Sequence, residues 1–129
     1  MGQVMDEKIE ALLSKWKDKP FEYGSFDCCQ FAADAVRSLH GLEVKITPYK
    51  TEREAIRVLR DMGGLIDALG NAGLSEQPYP MRGDVILVKH PGVFQNALAI
   101  FTGLGAHMPT NLGLWVVPKE DWISVWGVR

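Results

Sequence analysis

The chain has 129 residues, 47% hydrophobic and 23% charged, with a formal net charge of −2. That length supports one domain, residues 1–129, with a core of its own. The charge offers no basic field to nucleic acid, no apolar run approaches a membrane span, and the opening Met1-Gly2-Gln3-Val4-Met5-Asp6-Glu7-Lys8 lacks the apolar stretch of a signal peptide, so synthesis in the cytoplasm without classical export is expected.

The first element is a helix over about Asp6 to Lys17, with Ile9, Leu12, Leu13 and Trp16 at i, i+3, i+4, i+7. Lys19-Pro20 stops it, and a loop leads through Gly24-Ser25-Phe26 to Asp27-Cys28-Cys29-Gln30-Phe31. Asp27 reads as the N-cap of a second helix, with Gln30 completing a capping-box-like pattern. At about 100° per residue, Phe31, Ala32, Ala35, Val36 and Leu39 share the stripe headed by Cys28, while Gln30, Asp34, Arg37 and Ser38 fall opposite. His40-Gly41 closes this helix. A capping box at Thr51-Glu52-Arg53-Glu54 opens a third helix through Ala55, Ile56, Val58, Leu59 and Met62, closed by Gly63-Gly64. Leu65 to Leu69 forms a short helical turn, ended by Gly70 and Gly73.

The character changes at Pro78-Tyr79-Pro80. Asp84 to Val88, after a turn at Arg82-Gly83, reads as a buried strand. Asn96 to Thr102 is a second, too apolar for one wet face. Leu114 to Val117 is a third, and Ile123 to Val128 a fourth. Short links between the later strands make the sheet mostly antiparallel, and helices segregated before strands give the α+β class. The tryptophans are expected chiefly in the core. Trp115, Trp122 and Trp126 concentrate aromatic surface near the end of the chain, so that segment is expected to serve the core or a partner.

The two cysteines are adjacent on a helix, where a normal disulfide does not form because the Cβ vectors diverge by about 100°. With His40, His90 and His107 they show no zinc-ligand spacing, and neither a metal nor a cofactor is expected. Cys28 sits in the first turn of a helix, where the partial positive charge favours thiolate, the setting a cysteine nucleophile needs. The same position suits a small buried hydrophobe.

The order helix, Asp27-Cys28-Cys29-Gln30-Phe31, then Gly83-Asp84-Val85-Ile86, then Ala97-Leu98-Ala99-Ile100-Phe101-Thr102-Gly103 resembles the NlpC-type cell-wall cysteine peptidases, from about Phe21 to His107. The resemblance implies a papain-like α+β domain whose N-terminal helices pack on the sheet. It also implies Cys28 as nucleophile of a γ-D-glutamyl–diamino-acid endopeptidase, with the Cys28 N–H in the oxyanion hole. Three departures stand out. Ala97 occupies the position of the general-base histidine, and alanine moves no proton. Phe21 lies where the family carries a tyrosine hydroxyl. Cys29 and Gln30 replace the residues usual after the nucleophile. His107 falls near the family's third, orienting position and is the first candidate helper. His90 is the second, reaching Cys28 only if the loop after it folds back. His40, about 18 Å along the helix from Cys28, is excluded.

The Asp-Cys-Cys-x-Phe-Ala-Ala-Asp-Ala helix, the histidine-free third strand and the terminal Trp122 to Val128 segment are similar to a branch of that family carried by tailed phages and prophages. This implies a tail-tip or hub protein, assembled into the virion tail from the cytoplasm, with other tail-tip proteins and peptidoglycan peptides as partners. A catalytically inactive tail component is the alternative, and a cytoplasmic thiol hydrolase acting on acyl esters or thioesters is a third reading. The expected chemistry is weak or absent because of Ala97.

Overall fold

The computed structural model describes residues 2–25, 27–90 and 96–128. Phe26, within the cysteine motif, and the loop after His90 lie outside the described residues. The chain is α+β, with four α-helices preceding a six-stranded sheet among the described residues: α1 (Gly2–Trp16), α2 (Cys28–His40), α3 (Glu52–Asp61), α4 (Leu65–Asn71), β1 (Ser75–Gln77), β2 (Val85–Lys89), β3 (Asn96–Phe101), β4 (Ala106–Thr110), β5 (Gly113–Val117) and β6 (Trp122–Gly127). The strand order is β1-β6-β2-β3-β4-β5, and every neighbouring pair runs antiparallel.

The centre of the sheet is buried on both faces, which is why β2 and β3 read as continuous apolar runs. Alternation along each strand sends Val85, Leu87, Leu98 and Ile100 to one face, where they meet Ile9, Leu12 and Trp16 of α1 and Phe31, Ala35, Val36 and Leu39 of α2. Ile86, Val88, Ala97 and Ala99 go to the other face with Ala106, Met108 and Val117, covered in part by Phe101, Trp122 and Val125. β2 and β3 pair from Val85↔Ile100 to Lys89↔Asn96, the expected adjacent antiparallel strands.

Each end of α2 is fastened. At its start, Asp27 caps the helix, and its second oxygen is held from the preceding loop. At its end Gly41 adopts a left-handed φ of 68° and donates to the Arg37 carbonyl, and Arg37 in turn donates to the Val44 carbonyl. A ring nitrogen of His40, Nε2, lies 2.9 Å from the Gly83 carbonyl, tying the helix to the turn before β2. On the outer side, Trp16 Nε1 donates to Asp34 at 2.8 Å, and the Trp16 ring meets Phe31 edge-on at 5.1 Å.

Two strands depart from the sequence expectation. β1, Ser-Glu-Gln, carries no apolar alternation and exists because it lines up with the apolar β6, Ser75↔Gly127 to Gln77↔Val125. β4 contains His107 and Pro109, both poor strand signals. It is held by β5, with pairing to β3 at Ile100↔His107 and Phe101↔Ala106, so Pro109 lies beyond the β3 ladder where its missing N–H costs nothing. Of the tryptophans, Trp16 and Trp126 are buried, Trp122 is half-buried and Trp115, on the edge strand, is exposed.

Candidate functional site

The site begins with the loop before α2. Gly24 has a φ of 87°, and a Cβ there would lie 1.8 Å from the Tyr49 carbonyl oxygen, so only glycine lets the loop pass under residues 49–50. This close passage brings three donors to Asp27. Its Oδ1 accepts from the Gln30 N–H at 2.8 Å, and its Oδ2 accepts from the Gly24 N–H at 2.8 Å and from the Tyr49 hydroxyl at 2.7 Å. Asp27 is 4% exposed, so these bonds replace its water. The capping pattern is half of what was expected: Asp27 caps, and its free oxygen anchors the loop.

Cys28 and Cys29 follow, both half-buried and both free thiols. Cys28 packs against the cluster containing Ala97, and Cys29 against the helix-side core. The Phe101 N–H donates to the carbonyl of Asp84, the residue before β2, so by alternation the Leu98 N–H points away from β2, towards the β4 side. There the β3–β4 pairing has ended, and the Leu98 N–H is directed at the Cys28 sulfur. Hydrogen bonding with Cys29 is the chief cause of a lowered Cys28 pKa, with the Leu98 backbone adding to it and burial and the nearby Asp27 charge opposing it. Cys29 is pushed the other way, because its proton is engaged on Cys28 and it is buried. The adjacency that forbids an ordinary disulfide therefore makes Cys29 a donor to the nucleophile candidate.

Both cysteines line a cleft of about 460 Å³. One wall is α2, through Ala32, Ala33 and Val36; the other is α3 and α4, through Ala55, Val58, Leu59, Met62, Leu65 and Leu69. Tyr23, Glu52, His90, Asn96, Thr110 and Asn111 also line it. The Tyr23 hydroxyl donates to Glu52 at 2.8 Å, and burial, then this bond, pushes its pKa up to about 12. Tyr49 is raised further still, by burial first.

His90 lines the cleft with Cys28 and Ala97; His107 is not among the lining residues. His107 pairs with Ile100, so it sits up-strand of Leu98, and its Nδ1 lies 3.3 Å from Thr102 Oγ1 at the β3–β4 turn. Its half-buried position, through desolvation, lowers its pKa and favours the neutral ring. The fold thus brings His90, and not His107, to the cleft that Cys28 lines. Sequence reasoning also missed Tyr23: a hydroxyl was sought at Phe21, whereas Phe21 packs edge-on to Tyr23 at 5.1 Å and Tyr23 brings the hydroxyl to the cleft. Among the described residues no group of three His, Cys, Asp or Glu side chains is placed to hold a metal ion, and no helix is long and apolar enough to cross a membrane.

A family model described as a domain of unknown function, DUF6950, matches residues 3–128. The chain belongs to the DUF6950 family. A comparison with curated proteins finds no match. The DUF6950 match spans all four helices and all six strands apart from the first residue of α1, so the cysteine helix, the cleft and the strands that frame it belong to one family domain.

Proposed function

We propose that this protein is a tail-tip or hub component of a phage or prophage, built on an NlpC-type, papain-like peptidase fold, and that it acts on peptidoglycan stem peptides through Cys28. The observation that carries this reading is the Cys28 sulfur itself. It lies in the first turn of α2, lines the cleft between α2 and α3, and is held towards the thiolate chiefly by its neighbour Cys29. Papain-like chemistry needs a nucleophile so placed, with backbone N–H groups beside it for the developing oxyanion. His90 is assigned the proton-transfer role because it lines the same cleft, and Ala97 leaves no base on β3. The virion tail is the proposed location.

A second reading is favoured by Ala97. A peptidase must protonate an amine leaving group, and loss of that help costs about 10²–10⁴ in rate. On this reading the fold is kept as a structural tail part without the chemistry.

Purified protein incubated with peptidoglycan fragments separates the two. Cleavage by the wild type, abolished in Cys28→Ala and cut at least tenfold in His90→Ala but not in His107→Ala, is the expected result of the first reading. No cleavage, with the protein found by mass spectrometry in purified particles, establishes the second. Absence from particles overturns the tail assignment.

A further inference from the structure

The cleft has a direction. Tyr23 bonds Glu52, and Tyr49 bonds Asp27, so the start of α3 lies beside the cysteine turn. At the other end Arg37 holds the Val44 carbonyl, and Val44 shares a small surface hollow with Met62, Ala68 and Ala72. α3 therefore runs alongside α2, and the cleft extends from Cys28 to Val36, about 12 Å at 1.5 Å per residue. Its chemistry changes over that distance. Near Cys28 lie His90, Asn96, Glu52 and Tyr23; beyond Ala33 the walls are Val36, Val58, Leu59, Met62, Leu65 and Leu69. On α3 only Ala55 is fully buried, so the apolar face of that helix is turned to the cleft and left half-covered.

A stem peptide, rich in carboxylates and amines, matches the first end and not the second. We propose that the cleft binds an aliphatic acyl chain, and that Cys28 accepts this chain from an acyl thioester. An extended alkyl chain advances about 1.25 Å per carbon, given C–C bonds of ~1.5 Å, so about ten carbons fill the 12 Å. The volume of about 460 Å³ is ordinary for a small-molecule site and suits such a chain with its head group. In the transfer, the Cys28 sulfur adds to the donor carbonyl. The new S–C bond forms as the donor C–S bond breaks, and the donor sulfur leaves with the electron pair and takes up the proton given up by Cys28. Acyl thioester and Cys28 thiol become Cys28 thioester and free donor thiol, with no oxidant or reductant.

This chemistry also answers the missing histidine. An amine must be protonated to leave, whereas a thiol, with pKa near 8.5, leaves as thiolate. Ala97 is thus a severe loss for peptide cleavage and a small one for thioester exchange. The inference shares with the proposed function the assignment of Cys28 as nucleophile, but not the substrate.

The test incubates the full-length protein with N-acetylcysteamine thioesters of acetate, hexanoate and decanoate and follows the acyl adduct by intact mass and peptide mapping. The expected result is an adduct on Cys28, formed faster as the chain lengthens, by up to about fourfold per added CH₂ if each is fully buried. Ala68→Phe, which narrows the apolar end, is expected to bring the decanoyl-to-acetyl rate ratio down at least tenfold. Cys28→Ser and Cys28→Ala give no thioester adduct, yet still bind a fluorescent fatty acid, which shows that the variants keep the cleft. Equal rates for acetyl and decanoyl donors, an adduct on Cys29 instead, or no adduct with wild type overturn the proposal. Peptidoglycan cleavage with no chain-length dependence leaves the peptidase reading standing and this one refuted.

Discussion

Replacing Asp27 by alanine should be strongly destabilising although the residue is polar. The carboxylate is 4% exposed and accepts three hydrogen bonds, from Gln30 N–H, Gly24 N–H and Tyr49 hydroxyl. Losing the cap costs about 1 kcal/mol. Stranding the Gly24 N–H and the Tyr49 hydroxyl adds about 1–3 kcal/mol each, and the lower end applies to Tyr49, which borders the open cleft. The sum is about 3–5 kcal/mol. For a domain of this length 1 kcal/mol shifts Tm by about 4 °C, so Asp27→Ala should melt about 15 °C below wild type. Asp27→Asn keeps the capping oxygen and lets the Tyr49 hydroxyl turn to accept from the new amide. It strands only the Gly24 N–H, at about 1–2 kcal/mol. Circular dichroism melts and urea titrations of wild type, Asp27→Asn, Asp27→Ala and the pair with Tyr49→Phe read the series, and the double-mutant cycle should return a coupling of about 1 kcal/mol between Asp27 and Tyr49. A drop under about 3 °C for Asp27→Ala, or equal drops for alanine and asparagine, would refute the reasoning.

Three further outcomes are expected. Iodoacetamide should alkylate Cys28 well before Cys29 at neutral pH, and Cys29→Ala should move the Cys28 midpoint upward while Cys29→Ser, which still donates, moves it less; equal labelling of both thiols counts against the S–H···S contact. His107 holds its proton less tightly when folded, so the unfolded chain takes up the proton first. The stability it permits is full above about pH 6.5 and is lost as pH falls through its lowered folded value. Urea midpoints between about pH 7 and pH 5 should therefore fall more steeply for wild type than for His107→Gln. Truncation after Lys119 removes β6, which lies between β1 and β2 and buries Trp126, and should leave the rest unfolded by circular dichroism.

Much of the helical half was legible because its signals are local. Asp27, Thr51 and Gly41 act at the helix ends where their chemistry places them. β2 and β3 were legible because both faces are buried and the runs are uniformly apolar. β1 and β4 were not, since a strand of Ser-Glu-Gln and one with His107 and Pro109 owe their pairing to neighbours far away in the chain. The cysteine was found through its position on α2. The cleft was not, because it depends on how α3 and α4 lie against α2, a tertiary fact with no local mark. His107 was singled out by its distance from Ala97 in sequence, whereas its place opposite Ile100 and its contact with Thr102 follow from the β3–β4 register, which no local signal carries.

The fastening of α2 has a mechanical consequence. With Asp27 clamped at one end, and His40 on the Gly83 carbonyl at the other, the helix behaves as a beam built in at both supports. α3 is held differently: Thr51 and the Tyr23–Glu52 bond anchor its start, Leu59 rests on the core near its end, and of its residues only Ala55 is buried. The cysteine turn is therefore the rigid side of the cleft, and the wall facing it is the one with fewer side chains fastened.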